Sequence, residues 1–182
     1  DPDLNISYDH RLRAFNFGKV NGMGAIDKII AILNKYMYFA ALKSKSIFLH
    51  AGAVRLNNRG LIFTGPSGIG KTTIISMLPA EIRLGDELIC IKDAQGNRNV
   101  FRAYSFPWPS NNPEFVPMNM DIDALFFIRR DGANHIERKK WQDAFRELLQ
   151  NIYSFTNVAN DVMELSDLAM RFCKSMRCFD IY

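Results

Sequence analysis

The chain has 182 residues, 48% of them hydrophobic, and a formal net charge of +4, but its basic residues are too scattered to indicate a nucleic-acid partner. A chain of this length buries about two thirds of its unfolded surface, so one domain over residues 1 to 182 is expected. The three cysteines form no CxxC pair, which favours reduced thiols over a zinc site. No apolar run is long enough to span a membrane and no signal peptide is present, which predicts a cytoplasmic protein without a membrane partner.

The first part of the chain combines alternating and helical patterns. Residues 5 to 17 alternate apolar and polar side chains, which predicts edge strands or a hairpin. Residues 1 to 24 are expected to be an incomplete lead-in to the domain. Apolar residues recur at helical spacing from Ala25 to Lys43, which predicts a long amphipathic helix. Two strands follow, Ser46 to Leu56 and Arg59 to Thr64, joined by two asparagines that tolerate a tight turn.

The most informative stretch comes directly after the second of these strands. It reads GPSGIGKT from Gly65 to Thr72 and fits the phosphate-loop pattern GxxxxGK[ST]. Glycines let such a loop turn its amide groups toward a polyphosphate, and the loop runs into a helix from Thr72 to Leu78, ended by Pro79, whose first N–H groups favour an anion. In this pattern the lysine, Lys71, reaches the β and γ phosphates, and the hydroxyl of Thr72 binds Mg²⁺. The predicted nucleotide-binding residues are Gly65, Pro66, Ser67, Gly68, Ile69, Gly70, Lys71, Thr72 and Thr73.

An acidic pair, Asp86 and Glu87, follows the phosphate-loop helix. It begins only fifteen residues beyond Lys71 and precedes an apolar strand that ends at Lys92. One carboxylate at this point could take the proton of an attacking hydroxyl, while its neighbour holds Mg²⁺. The residues alone leave a second interpretation open, in which the two acids only occupy a turn.

The rest of the chain continues the mixed pattern of strands and helices. The stretch from Ser105 to Met118 contains four prolines, which predicts a loop. The other predicted elements are strands at Asn99 to Tyr104, Ile122 to Ile128, Ile136 to Arg138 and Cys178 to Tyr182, and helices at Lys140 to Tyr153 and Asp161 to Lys174. Together these elements predict a mixed α/β fold.

Three runs carry a resemblance to a known family: LHAGAV from Leu49 to Val54, the phosphate loop, and LGDEL from Leu84 to Leu88. Together they resemble the C-terminal catalytic domain of HPr kinase/phosphorylase and its shorter relatives, which include kinases of free serine and kinases associated with modified peptides. That family shares a P-loop class with the phosphoenolpyruvate carboxykinases. The resemblance therefore implies a single P-loop domain whose mixed sheet is flanked by helices.

The resemblance also implies a reaction and its residues. Asp86 would be the general base toward a serine hydroxyl, with His50 beside it and Lys71 on the phosphates, and Thr72, Glu87 and Asp86 would hold the metal. The implied cofactors are ATP and Mg²⁺, and the implied acceptor is a hydroxyl of a peptide, a protein or a small molecule. A homo-oligomer is a further expectation, since HPr kinases are often hexameric. Without the family, His50 is more often a half-buried strand histidine.

The chain departs from the family after the acidic pair. Where HPr kinase/phosphorylases have a Glu-Arg-Gly signature, this sequence has Phe101 to Trp108, so neither HPr as a substrate nor the phosphorylase reaction is expected. Two other functions stay open, a nucleotide-binding regulatory module without phosphotransfer and a simple nucleotide hydrolase. Arg102, Arg129 and Arg130 could each hold a phosphate or lie at the surface. The aromatic residues Phe106 and Trp108 could hold an adenine or a peptide, or pack in the core.

Overall fold

The computed structural model of the chain describes residues 6–9, 14–17, 36, 40, 43–94, 100–105, 118–130, 134–154 and 159–182. The chain forms two compact units, residues 1–40 and residues 41–182. The prediction of one domain over the whole chain stays a prediction, because compactness does not establish that a unit folds alone.

The first unit contains a short hairpin. Strand β1 (Ile6–Asp9) pairs antiparallel with strand β2 (Ala14–Phe17), which confirms the hairpin predicted for residues 5 to 17. The predicted helix from Ala25 to Lys43 lies outside the described residues, apart from residues 36, 40 and 43, whose backbone is helical.

The second unit contains nine further strands and three α-helices within its described residues. The strands are β3 (Ser46–Leu56), β4 (Arg59–Thr64), β5 (Arg83–Gly85), β6 (Leu88–Asp93), β7 (Phe101–Ser105), β8 (Asn119–Ile128), β9 (Ile136–Lys139), β10 (Ile152–Tyr153) and β11 (Arg177–Ile181). The helices are α1 (Lys71–Ser76), α2 (Trp141–Leu148) and α3 (Ala159–Ser175), and short 3₁₀ turns cover Ala80–Ile82 and Leu149–Asn151.

A two-residue turn joins β3 to β4. Its central residues, Asn57 and Asn58, have φ values of 49° and 60°. Positive φ at both central positions is the conformation of a type I′ turn, whose twist matches that of the flanking strands. The predicted pair of strands with an asparagine turn is therefore confirmed.

The sheet is mixed, and two of its strands change partner along their length. Strand β3 pairs with β6 through Ser46–His50 and with β4 through Ala51–Leu56. Strand β8 pairs antiparallel with β7 near its start and parallel with β4 and β11 farther along. As a result, the pairings β3-β6-β7-β8-β4 close into a ring, and β4 ends beside the end of β8.

Helices cover both faces of the sheet. Val54, Phe63 and Ile128 point to one face, where they pack with Ile75 of α1. Their chain neighbours point to the other face, where α2 and α3 complete the larger core, because side chains alternate along a strand. The described part of the chain thus has the predicted mixed α/β architecture, a sheet flanked by helices.

Two local predictions differ from the structure. The helix predicted from Lys140 to Tyr153 ends at Leu148. The last two residues of the predicted range, Ile152 and Tyr153, instead form β10, which pairs with Leu49 and Phe48 of β3. The side chain of Asn151 donates to the carbonyl of Glu147 at 3.0 Å, which closes the helix end. The connection after α1 also contains the short strand β5, which pairs with β3 and interrupts the predicted turn.

Candidate nucleotide and phosphotransfer site

The loop from Gly65 to Gly70 joins β4 to α1 and has the backbone conformation that its glycines allow. Gly68 and Gly70 have φ values of 75° and 120°, a region in which other residues are strained. The amide of Ile69 donates to the carbonyl of Pro66 at 3.3 Å, and a positive φ at the third residue is typical of a type II turn. A Cβ added at Gly68 or Gly70 would meet no atom within 4 Å, so the space beside the loop is open.

Lys71 lies under this loop rather than in solvent. Its side chain is only 4% exposed, and its Nζ donates to the carbonyls of Gly65 at 2.8 Å and Pro66 at 2.9 Å. Burial lowers the pKa of Lys71, and the nearby carboxylate of Glu87 opposes that shift. The two carbonyls stabilise the buried ammonium, as a buried cation requires.

The strand β3 approaches α1 closely because it has a glycine at position 52. A methyl group on Gly52 would lie 2.5 Å from Cγ1 of Ile75 and 2.9 Å from its Cδ1. Ile75 is 2% exposed and belongs to the core between α1 and the sheet. The run LHAGAV therefore has a structural role in bringing the phosphate-loop helix against β3.

We expect Gly52→Ala to destabilise the protein by about 1–3 kcal/mol, the usual cost of overpacking a core. The matched test is a double-mutant cycle with Ile75→Ala, which removes the two clashing carbons. The free energy of unfolding from urea titrations should show that Gly52→Ala costs clearly less in the Ile75→Ala background. Additive effects of the two substitutions would contradict the proposed contact.

The acidic turn lies across the middle of β3. Gly85 of β5 pairs with Ala53, Leu88 of β6 pairs with His50, and the amide of Ala51 donates to the carbonyl of Glu87 at 3.3 Å. These contacts place Asp86 and Glu87 next to the strand that carries His50. The register of β3 with β5 and β6 therefore fixes the position of the acidic turn.

His50, Glu87 and Lys71 share one site. Oε1 of Glu87 lies 3.7 Å from Nε2 of His50, and Glu87 is the more exposed of the two. Burial lowers the pKa of His50 below 6.5, the Lys71 charge lowers it further, and Glu87 opposes both effects. The neutral form of the imidazole is therefore favoured. The backbone of His50 is held separately, because its carbonyl accepts a hydrogen bond from the Thr64 hydroxyl at 3.1 Å.

This pKa shift predicts a pH dependence of stability. Because the pKa of His50 is lower in the folded chain, the unfolded chain takes up a proton first as the pH falls below 6.5. The free energy of unfolding should therefore decrease from pH 6.5 down to the folded pKa. We expect His50→Gln to lose less stability than the parent between pH 7.5 and pH 5 in urea titrations, whereas parallel profiles would contradict the shift.

The remaining predicted residues lie at or near the same site. Within the loop, Pro66, Ser67 and Gly68 are exposed, as are Thr72 and Thr73 at the start of α1. Asp86 is half-buried in the acidic turn, and no ion pair joins it to another described residue. The structure therefore brings Glu87 and His50 to the side of Lys71, and Asp86 lies in the same acidic turn as Glu87.

The three arginines have different surroundings. Arg102 forms an ion pair with Asp121 at the surface, with 2.8 Å between its Nε and Oδ1 of Asp121. Of the two alternatives for Arg102, the structure thus favours a surface position. Arg129 forms ion pairs with Glu147 at 2.5 Å and Asp180 at 2.7 Å. Lys139 binds the same two carboxylates. Arg102 and Arg129 are therefore engaged away from the loop, whereas Arg130 contacts it. The aromatic candidates Phe106 and Trp108 lie outside the described residues.

A magnesium site would have to be shared with the nucleotide. Among the residues that the structure describes, no three His, Cys, Asp or Glu side chains form a group able to hold a metal ion. Mg²⁺ usually keeps several waters and is bound by one or two carboxylates together with substrate phosphates. A hydroxyl such as that of Thr72 and carboxylates such as those of Glu87 and Asp86 are the kinds of ligand that such a shell uses.

In the part of the chain that the structure describes, no helix is long and apolar enough to cross a membrane. No family model and no curated protein matches the sequence. Among solved structures, the chain is similar to the Hpr(Ser) kinase/phosphatase from Coxiella burnetii, with 12% identity and a TM-score of 0.33 over 66% of this chain and 93% of that chain. This similarity is a remote structural relationship.

Proposed function

We propose that the chain is an ATP- and Mg²⁺-dependent kinase that transfers the γ-phosphoryl group to a hydroxyl. The acceptor would be a serine of a peptide, a protein or a small molecule. The observation that carries the proposal is the convergence of Lys71, His50 and the acidic turn beside a phosphate loop with three positive-φ glycines. Phosphoryl transfer needs mainly positioning and charge stabilisation, which such a site supplies.

Lys71 would bind the phosphates by exchanging its partners. Its ammonium now donates to the carbonyls of Gly65 and Pro66, and phosphate oxygens would replace them when a nucleotide binds. The lowered pKa of Lys71 reflects a poorly solvated cation, and an anion would stabilise its charged form. The loop amides and the open space beside Gly68 and Gly70 supply room for the rest of the polyphosphate.

The acidic turn would divide two tasks. Asp86 would accept the proton of the attacking hydroxyl, because a base within hydrogen-bond reach is needed to activate a weak nucleophile. Glu87 and the Thr72 hydroxyl would hold Mg²⁺, which supplies positive charge to the transferring phosphoryl group. A neutral His50 beside Glu87 would orient that carboxylate without neutralising it.

The experiment has two stages on the unmodified protein. Calorimetry with ATP and Mg²⁺ tests the nucleotide site, with GTP and pyrophosphate as competitors. Transfer of labelled γ-phosphate to free serine, serine peptides and candidate proteins then tests the reaction. Binding followed by transfer supports the kinase.

Two other outcomes separate the alternatives. Nucleotide binding without transfer to any acceptor would favour the regulatory module, whereas release of phosphate to water alone would favour a hydrolase. Absence of binding to any of the three ligands would overturn the nucleotide site itself.

A further inference from the structure

Arg130 connects the end of β8 to the phosphate loop. Its Nη2 donates to the carbonyl of Gly68 at 2.6 Å, across 62 residues of sequence. The approach is possible because β4 and β8 are parallel neighbours, with Thr64 beside Phe127. A Cβ on Gly65 would lie 3.5 Å from the carbonyl oxygen of Ile128, so the start of the loop already lies against the end of β8.

The backbone that carries Arg130 is held on its other side. The amide of Arg129 donates to the carbonyl of Ile181 at 2.8 Å, and its side chain pairs with Glu147 and Asp180. Arg129 therefore ties this segment to β11 and α2. Arg130, the next residue, is exposed and extends to the loop.

Two cationic side chains thus bind different carbonyls of the phosphate loop. Lys71 binds those of Gly65 and Pro66, and Arg130 binds that of Gly68. The turn from Pro66 to Ile69 contains one carbonyl bound by each cation, that of Pro66 by Lys71 and that of Gly68 by Arg130. If Lys71 turns to the phosphates, the first attachment is lost, and the contact from Arg130 is the one that remains.

We propose that Arg130 is a positioning residue that keeps the phosphate loop in its nucleotide-binding conformation while Lys71 changes partners. This inference rests on the proposed function for its role in the reaction. The hydrogen bond itself acts on the loop whether or not a nucleotide is bound, because a charge-assisted bond to a carbonyl restricts the turn that carries it. A preformed loop binds its ligand more tightly, since less conformational entropy is lost on binding.

The test compares Arg130→Met with Arg130→Lys and with the control Arg55→Met. Arg55 also donates to a backbone carbonyl, that of Asn119 at the opposite end of β8, so the control removes the same charge and the same kind of bond. The first readout is amide hydrogen exchange, without nucleotide, of Gly65 and of residues 67 to 70, since Pro66 has no N–H. Compared with the parent, we expect faster exchange in Arg130→Met and unchanged exchange in Arg55→Met. Exchange in Arg130→Lys should lie between that of the parent and that of Arg130→Met.

The second readout is the affinity for ATP with Mg²⁺. Loss of one hydrogen bond of this kind should weaken binding about threefold to tenfold, with a raised KM for ATP, a smaller change in kcat and an unchanged melting temperature. Unchanged loop exchange in Arg130→Met would overturn the positioning role. Altered exchange in a protein that binds no nucleotide would instead overturn the proposed function and leave the loop contact established.

Discussion

Replacing Lys71 with alanine is expected to weaken ATP binding by about thirtyfold or more. Truncating one partner of a buried, hydrogen-bonded charge contact costs about 2–5 kcal/mol, and each 1.4 kcal/mol is a factor of ten in affinity. The side chain is 4% exposed and lies directly under the loop. The dissociation constant from calorimetry measures the effect, and the rise in melting temperature that ATP gives the parent should disappear.

Two controls separate the charge from packing. Lys71→Met keeps most of the apolar stem and should bind ATP as poorly as Lys71→Ala, because both lack the ammonium. Lys174→Ala removes a lysine that lies over the Trp141 ring, away from the loop, and should bind ATP like the parent. A dissociation constant in Lys71→Ala equal to that of the parent would refute the phosphate-loop assignment.

Replacing Asp86 with asparagine is expected to slow phosphoryl transfer by about a hundredfold to ten-thousandfold, the usual contribution of a general base. The substitution keeps the size of the half-buried side chain and removes its negative charge together with its ability to take a proton. ATP affinity should change little, because Lys71 and the loop carry most of the phosphate contacts. Single-turnover transfer to an accepted hydroxyl, measured beside nucleotide binding, separates the two effects.

Two other carboxylates between α1 and β6 provide comparison variants, one as a control and one as a test of the metal assignment. Glu81→Gln alters an exposed acid in the 3₁₀ turn before β5, and its transfer rate should equal that of the parent. Glu87→Gln should raise the Mg²⁺ concentration needed for half-maximal transfer, since Glu87 is assigned to the metal. Equal transfer by Asp86→Asn and the parent would show that Asp86 is not the base.

Local patterns predicted much of the fold and indicated which residues form the candidate site. The alternation in β3 and β4, the loop glycines and the helical spacing of α3 each depend on residues close in sequence, and their elements lie within a few residues of the predicted bounds. The end of α2 was mispredicted because helical spacing continues to Tyr153, whereas the edge of β3 offers Ile152 and Tyr153 a strand partner. A pairing across a sheet leaves no local signal in the segment that makes it.

Turn chemistry and side-chain periodicity act over a few residues, so the glycine-rich loop from Gly65 to Gly70, the acidic pair and most strands and helices are visible in the local sequence. How these parts meet depends on the pairing of strands that are distant in the sequence. The register of β3 with β5 and β6 places Glu87 beside His50, and the parallel pairing of β4 with β8 brings Arg130 to Gly68 and leaves Arg129 with Glu147 and Asp180. Such contacts depend on which strands become neighbours, and that choice is made by the burial of the whole core rather than by any single segment.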